Sequence, residues 1–218
     1  MRTPHPPRSF WFARLVRVTV GALLNALFRT ELVDADRIPE GAVILAGNHL
    51  SYADPVLLWC RSPRPVHFMA RSELWKVTVF GWALDHFWAF PVRRGSADRE
   101  ALQQAATYLA AGEPVGIFPE GTRKFKKADE DDARGGAAFL AMRNEVPLVP
   151  VGIAGTDRIK PPGAKVFRFA KVVMCVGEPI LPGEFTQGGR KERVEAMTSE
   201  LMRRIDAQAA RAEEVSKQ

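Results

Sequence analysis

The strongest constraint on the fold is a repeated alternation of two kinds of segment. Short, apolar, β-rich runs recur at 42–48 (AVILAGN), 66–70 (VHFMA), 87–92 (FWAFPV), 114–119 (PVGIFP), 146–153 (VPLVPVGI) and 165–177 (KVFRFAKVVMCVG). Runs of this length and composition read as strands. Between them lie segments of helical character. A helix opens at Pro55, and another covers Ser72 to Leu84 with Leu74, Trp75, Val79 and Trp82 on its apolar face. In 98–112, Asp98 caps a helix whose one face carries Leu102, Ala105 and Leu109, and Gly112 ends it. A fourth covers 133–144, with Gly135 and Gly136 weakening its start, and the last, about 190–210, aligns Val194, Met197, Leu201 and Ile205. Strands alternating with helices predict an α/β domain, a mixed and largely parallel sheet flanked by helices.

At 218 residues the chain suits one main domain with at most a small appendage, and charge locates that appendage. The sequence holds 31 basic and 25 acidic residues, a net charge of +6. Residues 1–30 hold Arg2, Arg8, Arg14, Arg17 and Arg29 and no acid, so the other 188 residues balance 26 against 25. This predicts an N-terminal helical arm, 1–30, on a nearly neutral domain, 31–218. In the arm, Arg14, Arg17, Gly21, Asn25 and Arg29 recur at three- and four-residue spacing, which sets them on one side of a helix. Phe10, Trp11, Phe12, Leu15, Val16, Val20, Leu23, Leu24 and Leu27 fill the other faces. An apolar helix with only basic charges and aromatics at one end suits an anionic membrane interface. The plainer alternative is a helix packed on the domain's own core, and one face can do each job. A basic excess set among Leu, Val and Phe argues against nucleic acid as the partner.

No apolar run reaches the length that spans a bilayer, and no small-residue cleavage site follows the apolar stretch. Two cysteines, Cys60 and Cys175, cannot make a disulfide framework and read as buried thiols. There is no CxxC, and the four histidines lack ligand spacing, so no metal is expected. The charge-dense KFKKADEDDA (124–133) reads as a solvated connection.

Three polar clusters follow apolar strands directly: Asn48-His49-Leu50-Ser51-Tyr52-Ala53-Asp54-Pro55, Val92-Arg93-Arg94-Gly95 and Phe118-Pro119-Glu120-Gly121-Thr122-Arg123. Ligand crevices of open α/β sheets lie beyond the carboxyl ends of strands, and these clusters are expected to converge there. Five residues on one helix would set His49 and Asp54 about 140° apart. They meet only if His49 lies on the turn before the helix and Asp54 near its start. The carboxylate then fixes the imidazole tautomer and leaves the other nitrogen as a base. The plain alternative has Asp54 capping the helix while His49 packs in the turn. Arg94 with Arg93, and Arg123 with Lys124, supply cations suited to phosphate. Gly121 permits close backbone approach, Thr122 adds a hydroxyl, and Glu120 orients an Arg or accepts a ligand hydroxyl. No GxSxG nucleophile elbow is present, which disfavours a serine hydrolase.

NHLSYADP, FPVRRG, FPEGTRK and VPLVPVGI stand in the order and rough spacing of the four motifs of the glycerolipid acyltransferases. The sequence most resembles the bacterial 1-acyl-sn-glycerol-3-phosphate acyltransferase family, over about residues 30–180. The resemblance implies His49 as the base that deprotonates the acceptor hydroxyl and Asp54 as its orienting partner. It implies Arg94, Glu120, Gly121 and Arg123 at the glycerol phosphate, with Thr122 beside them, and structural roles for Pro147 and Pro150. It implies acyl-CoA or acyl carrier protein as donor, lysophosphatidic acid as acceptor, no cofactor, and a peripheral or monotopic seat on the cytoplasmic face of the cell membrane. The alternatives are another lysophospholipid or a lyso-amino-acid lipid as acceptor, or a non-catalytic membrane-binding protein of the same fold. The sequence departs from many relatives at Lys124, where they carry Ser, and in the loop that follows.

Overall fold

A computed structural model describes residues 10–76, 78–92, 98–119, 135–159, 161, 166 and 168–218, with the backbone alone for 10–13, 78–80 and 83. Its strands are β1 (Glu31–Val33), β2 (Ile44–Gly47), β3 (His67–Arg71), β4 (Ala89–Val92), β5 (Val115–Ile117), β6 (Leu148–Ala154) and β7 (Val173–Val176). They form one sheet in the order β1-β7-β6-β2-β5-β3-β4. β6 and β7 run antiparallel, and the other described pairs are parallel. The helices are α1 (Phe10–Phe28), α2 (Asp54–Arg61), α3 (Thr78–His86), α4 (Arg99–Ala110), α5 (Gly136–Asn144), α6 (Thr156–Ile159) and α7 (Arg190–Ser216). This is the expected α/β class with a mixed, largely parallel sheet.

The apolar runs have no polar alternation because helices cover both faces of the sheet. In and beside β2, Ile44 and Ala46 enter one core with Ala105, Leu109, Leu140, Met197 and Leu201 of α4, α5 and α7. Val43 and Leu45 enter the other, with Leu57, Leu58 and Trp59 of α2 and, at its margin, Leu24 and Phe28 of α1. The Asp98 cap forms as expected: its Oδ1 accepts the N–H groups of Glu100 and Ala101 at 3.1 and 3.2 Å. Gly112, at φ +77°, ends α4 in a conformation that glycine tolerates best.

Three segments differ from the sequence reading. The span 72–84 is a 3₁₀ turn at Ser72–Lys76 followed by α3, and Trp82 is 58% exposed instead of facing a core. Trp75 is held by its indole N–H donating to Asp85 at 2.8 Å. Of 165–177 only Val173–Val176 is strand. Val166 and Phe169 point to solvent, and the Val172 N–H donates to the Phe28 carbonyl, outside the ladder. The last helix runs on to Ser216 because its end has partners: Arg211 pairs with Asp34, Arg158 with Glu213, and Lys171 donates to the Val215 carbonyl. β1 was not expected. It is three residues long, too short for a hydrophobic period, and it exists by pairing with β7.

α7 packs across β6 at a position without a side chain. A Cβ on Gly152 would lie 2.0 Å from the Gln208 carbonyl carbon and 2.1 Å from the Ala209 nitrogen. Both are backbone atoms of α7 and cannot swing aside. Gly152→Ala should therefore cost about 1–3 kcal/mol or more by overpacking. Chemical denaturation with an unchanged midpoint would contradict this packing.

Candidate active site

The chain leaves β2 for β3 and β4 on one side, then returns through β5 to reach β6 on the other. The carboxyl end of β2 is thus the topological switch point, where ligands of open α/β sheets bind. His49 stands two residues beyond β2, Phe118 one residue beyond β5, and β6 ends at Ala154.

His49 and Asp54 meet. Nδ1 of His49 lies 2.8 Å from Oδ2 of Asp54, whose side chain is fully buried. The same Oδ2 accepts the backbone N–H groups of Leu50 and Ser51, each at 2.7 Å. Asp54 opens α2, so its charge also lies at the positive end of that helix. The carboxylate thus does not act forward, as a cap on the helix. It acts backward, closing the 49–54 turn on three donors. An ionised carboxylate only accepts, so Nδ1 carries the proton and Nε2 is the basic nitrogen. Asp54 Oδ1 is buried and has no partner among the described residues.

Phe118 packs on the imidazole, and Asn48 ties down the chain just before it. Phe118 stacks on the imidazole at 4.4 Å between ring centroids and 24° between planes, and stacks in turn on Phe68 at 5.8 Å. Asn48, 2% exposed, spans from β2 to β6: its Nδ2 donates to the Ile153 carbonyl at 2.9 Å, and its Oδ1 accepts the Ile153 N–H at 2.7 Å. Neither role was read from the sequence. An Asn between a strand-ending Gly and a His is the signal for the role of Asn48. Nothing in the sequence pairs Phe118 with His49, since that contact joins adjacent strands β2 and β5.

Of the other expected site residues, Arg94, Glu120, Gly121, Thr122 and Arg123 lie outside the described residues, as do Arg93, Gly95, Lys124 and the 124–133 segment. The third motif enters at Phe118 and the buried Pro119. Pro147 and Pro150 are in and beside β6, where Ile44 donates to the Pro147 carbonyl and Gly177 to that of Pro150. Among the described residues no group of His, Cys, Asp and Glu could hold a metal ion. Cys60 is half-buried at the contact of α1 and α2, and burial pushes its thiol up to about 11.

An acceptor-only carboxylate holding a histidine at a switch point of an α/β scaffold is an arrangement that suits general-base chemistry. A family model described as Acyltransferase matches residues 29–154, more than half of the chain. The chain belongs to the acyltransferase family and is an acyltransferase enzyme. It is 31% identical over 167 residues to a 1-acyl-sn-glycerol-3-phosphate acyltransferase of Bacillus subtilis, covering 76% of this chain and 80% of that protein. It is 29% identical over 151 residues to one of Streptococcus pneumoniae, covering 67% of this chain and 54%, about half, of that relative. The fold matches the crystal structure of the 1-acyl-sn-glycerophosphate acyltransferase PlsC from Thermotoga maritima. That match has a TM-score of 0.66 and 23% identity, and covers 90% of this chain and 80% of the other.

Asn48→Ala should remove both bonds to Ile153 and strand two buried backbone groups. We expect a loss of about 1–3 kcal/mol for each unsatisfied group and a lower melting temperature. Turnover should fall while the binding of acyl donor is retained. Unchanged stability and turnover together would show that Asn48 does not hold the turn.

Proposed function

We propose that the protein transfers a fatty acyl group from a thioester, on CoA or acyl carrier protein, to the sn-2 hydroxyl of 1-acyl-sn-glycerol 3-phosphate, giving phosphatidic acid. The observation that carries this reading is the 2.8 Å contact between His49 Nδ1 and Asp54 Oδ2. His49 Nε2 takes the acceptor hydroxyl proton, and the oxygen attacks the thioester carbonyl. The tetrahedral intermediate collapses, the C–S bond breaks, and the leaving sulfur takes up the proton from the imidazolium. Asp54 stabilises that imidazolium and keeps its tautomer. No covalent enzyme intermediate is required.

The lysophosphatidic acid acceptor rests on the names of the relatives and on the motif arginines. In this reading Arg94 and Arg123 bind the glycerol phosphate, Gly121 and Thr122 belong to the same motif, and Glu120 orients a guanidinium. We place the boundary between arm and catalytic domain near residue 30 and the enzyme on the cytoplasmic face of the membrane. Leu15, Val18 and Leu23 of α1 support an interfacial seat, since all three are more than half exposed. No described helix is long and apolar enough to cross a membrane.

With acyl-CoA and lysophosphatidate, His49→Ala should lower thiol release by about 10²–10⁴-fold while the protein stays folded. Asp54→Asn should cost as much or less, because the imidazole survives without its orienting charge. Turnover in His49→Ala near that of the parent would end the assignment of the base.

Arg94→Ala and Arg123→Ala should each weaken use of the phosphate acceptor by about 10–150-fold, the worth of one charge-assisted contact. The loss should shrink with an acceptor lacking phosphate. A panel of lysolipid acceptors, read by free thiol, measures both effects. Equal losses on both acceptor types would move these arginines from substrate binding to structure.

A further inference from the structure

The stripe Arg14, Arg17, Gly21 and Asn25 turns one edge toward α2, with Gly21 buried, Arg17 half-buried, and Arg14 and Asn25 exposed at the rim. It lines a groove of about 680 Å³ between α1 and the far end of α2. Gly21 meets α2 at Cys60, where a Cβ on it would make an ordinary 3.5 Å contact with the Cys60 Cβ. From the other wall come Arg61 and Arg64, and Trp88 completes the lining. Four guanidinium groups from three segments therefore converge, and no Asp or Glu is among the described residues that line the groove. The groove lies at the carboxyl end of α2, roughly 10 Å along that helix from Asp54, and so is separate from the His49 turn.

Several observations mark the groove as built for an anion. Arg17 donates to the Ser62 carbonyl, and Arg64 to the carbonyls of Pro39, Gly41 and Gly112. These neutral acceptors fix the two side chains, and Glu40 is the carboxylate whose charge reaches Arg64. Among the described residues no carboxylate forms an ion pair with Arg17, Arg61 or Arg64. Burial pushes the Arg17 guanidinium below its usual range, with Cys60 as the opposing influence. Trp88 adopts φ +56°, a conformation that bulky residues rarely occupy, and its ring stacks on His67 at 4.9 Å. Its indole N–H is buried with no partner among the described residues. A strained aromatic with an unpartnered donor, beside desolvated cations, is an arrangement that an oxyanion would complete.

We propose that this groove binds the phosphate of an anionic phospholipid of the bilayer. The groove and the outward apolar face of α1 share Val18, which is 63% exposed and also lines the groove. A phosphate held by the arginines therefore leaves its acyl chains running along Leu15, Val18 and Leu23. A soluble phosphate would have no use for that apolar margin. The assignment rests on the interfacial reading of α1 and adds to it a discrete, stereochemical phosphate site in place of a diffuse basic surface.

The test is vesicle sedimentation of the full chain. Vesicles of digalactosyldiacylglycerol, a neutral lipid without phosphate, carry either phosphatidylglycerol or oleate, adjusted to the same surface potential. The parent should bind the phosphatidylglycerol vesicles more tightly. Arg61→Gln, an exposed position, should lose about fivefold of that affinity, the worth of one basic side chain at an anionic surface, and lose less with oleate. Arg14→Gln, on the opposite wall, should repeat the pattern. Arg61→Lys, which keeps the charge but not the fork, should lose the preference for phosphate over carboxylate. Equal losses on both vesicle types, or none, would overturn the phosphate site while leaving the interfacial helix intact. A parent that binds neither vesicle would overturn the interfacial reading as well. Binding of soluble CoA that depends on Arg61, without a phosphatidylglycerol preference, would assign the groove to a nucleotide phosphate and overturn the lipid.

Discussion

A single carboxylate oxygen organises the working end of this molecule. Asp54 Oδ2 accepts from the His49 imidazole and from the backbone of Leu50 and Ser51, all within 2.7–2.8 Å. Charge-assisted bonds of this kind are about twice as strong as neutral ones. Each does a separate job. The two backbone bonds set the path of the chain from β2 into α2, and the third sets the tautomer of the imidazole. Burial of Asp54 makes the arrangement stiff, since breaking any of the three would leave a charged group less compensated in a low-dielectric interior.

The sheet supplies the rest of the constraint. Asn48 ties the start of the turn to β6, and Phe118 presses on the imidazole from β5. The histidine is thus referenced to three adjacent central strands, each buried on both faces. A base that must abstract a proton from a positioned hydroxyl gains from such preorganisation, because catalysis depends on near-attack geometry. The family places the chemistry as acyl transfer, and the geometry is one in which the proposed base, His49, would need no nucleophilic residue beside it.

What the sequence made legible follows from range. The central strands announced themselves as apolar runs, and the Asp98 cap and Gly112 stop are local signals that formed as read. The His49–Asp54 contact was legible as a condition: it required a turn followed by a helix start, and that is where the two residues stand. Contacts between distant segments were not legible. Arg211 with Asp34, Asn48 with Ile153 and Phe118 with His49 join positions with no shared period. Trp82 was read on the apolar face of its helix, and helical spacing cannot tell whether such a face turns inward. The same limit applied to α1. Its polar stripe was visible, but only packing shows that Gly21 lies buried against α2 while Leu15 and Val18 face outward.

The most direct test of this site is the protonation of the His49 ring, read by nitrogen-15 NMR of the labelled protein near neutral pH. Asp54 should hold the neutral imidazole as the Nδ1–H tautomer, with Nε2 unprotonated, and Asp54→Asn should shift the population away from it. A neutral ring carrying its proton on Nε2 in the parent would contradict the proposed base, because no lone pair would then be available to take the acceptor proton.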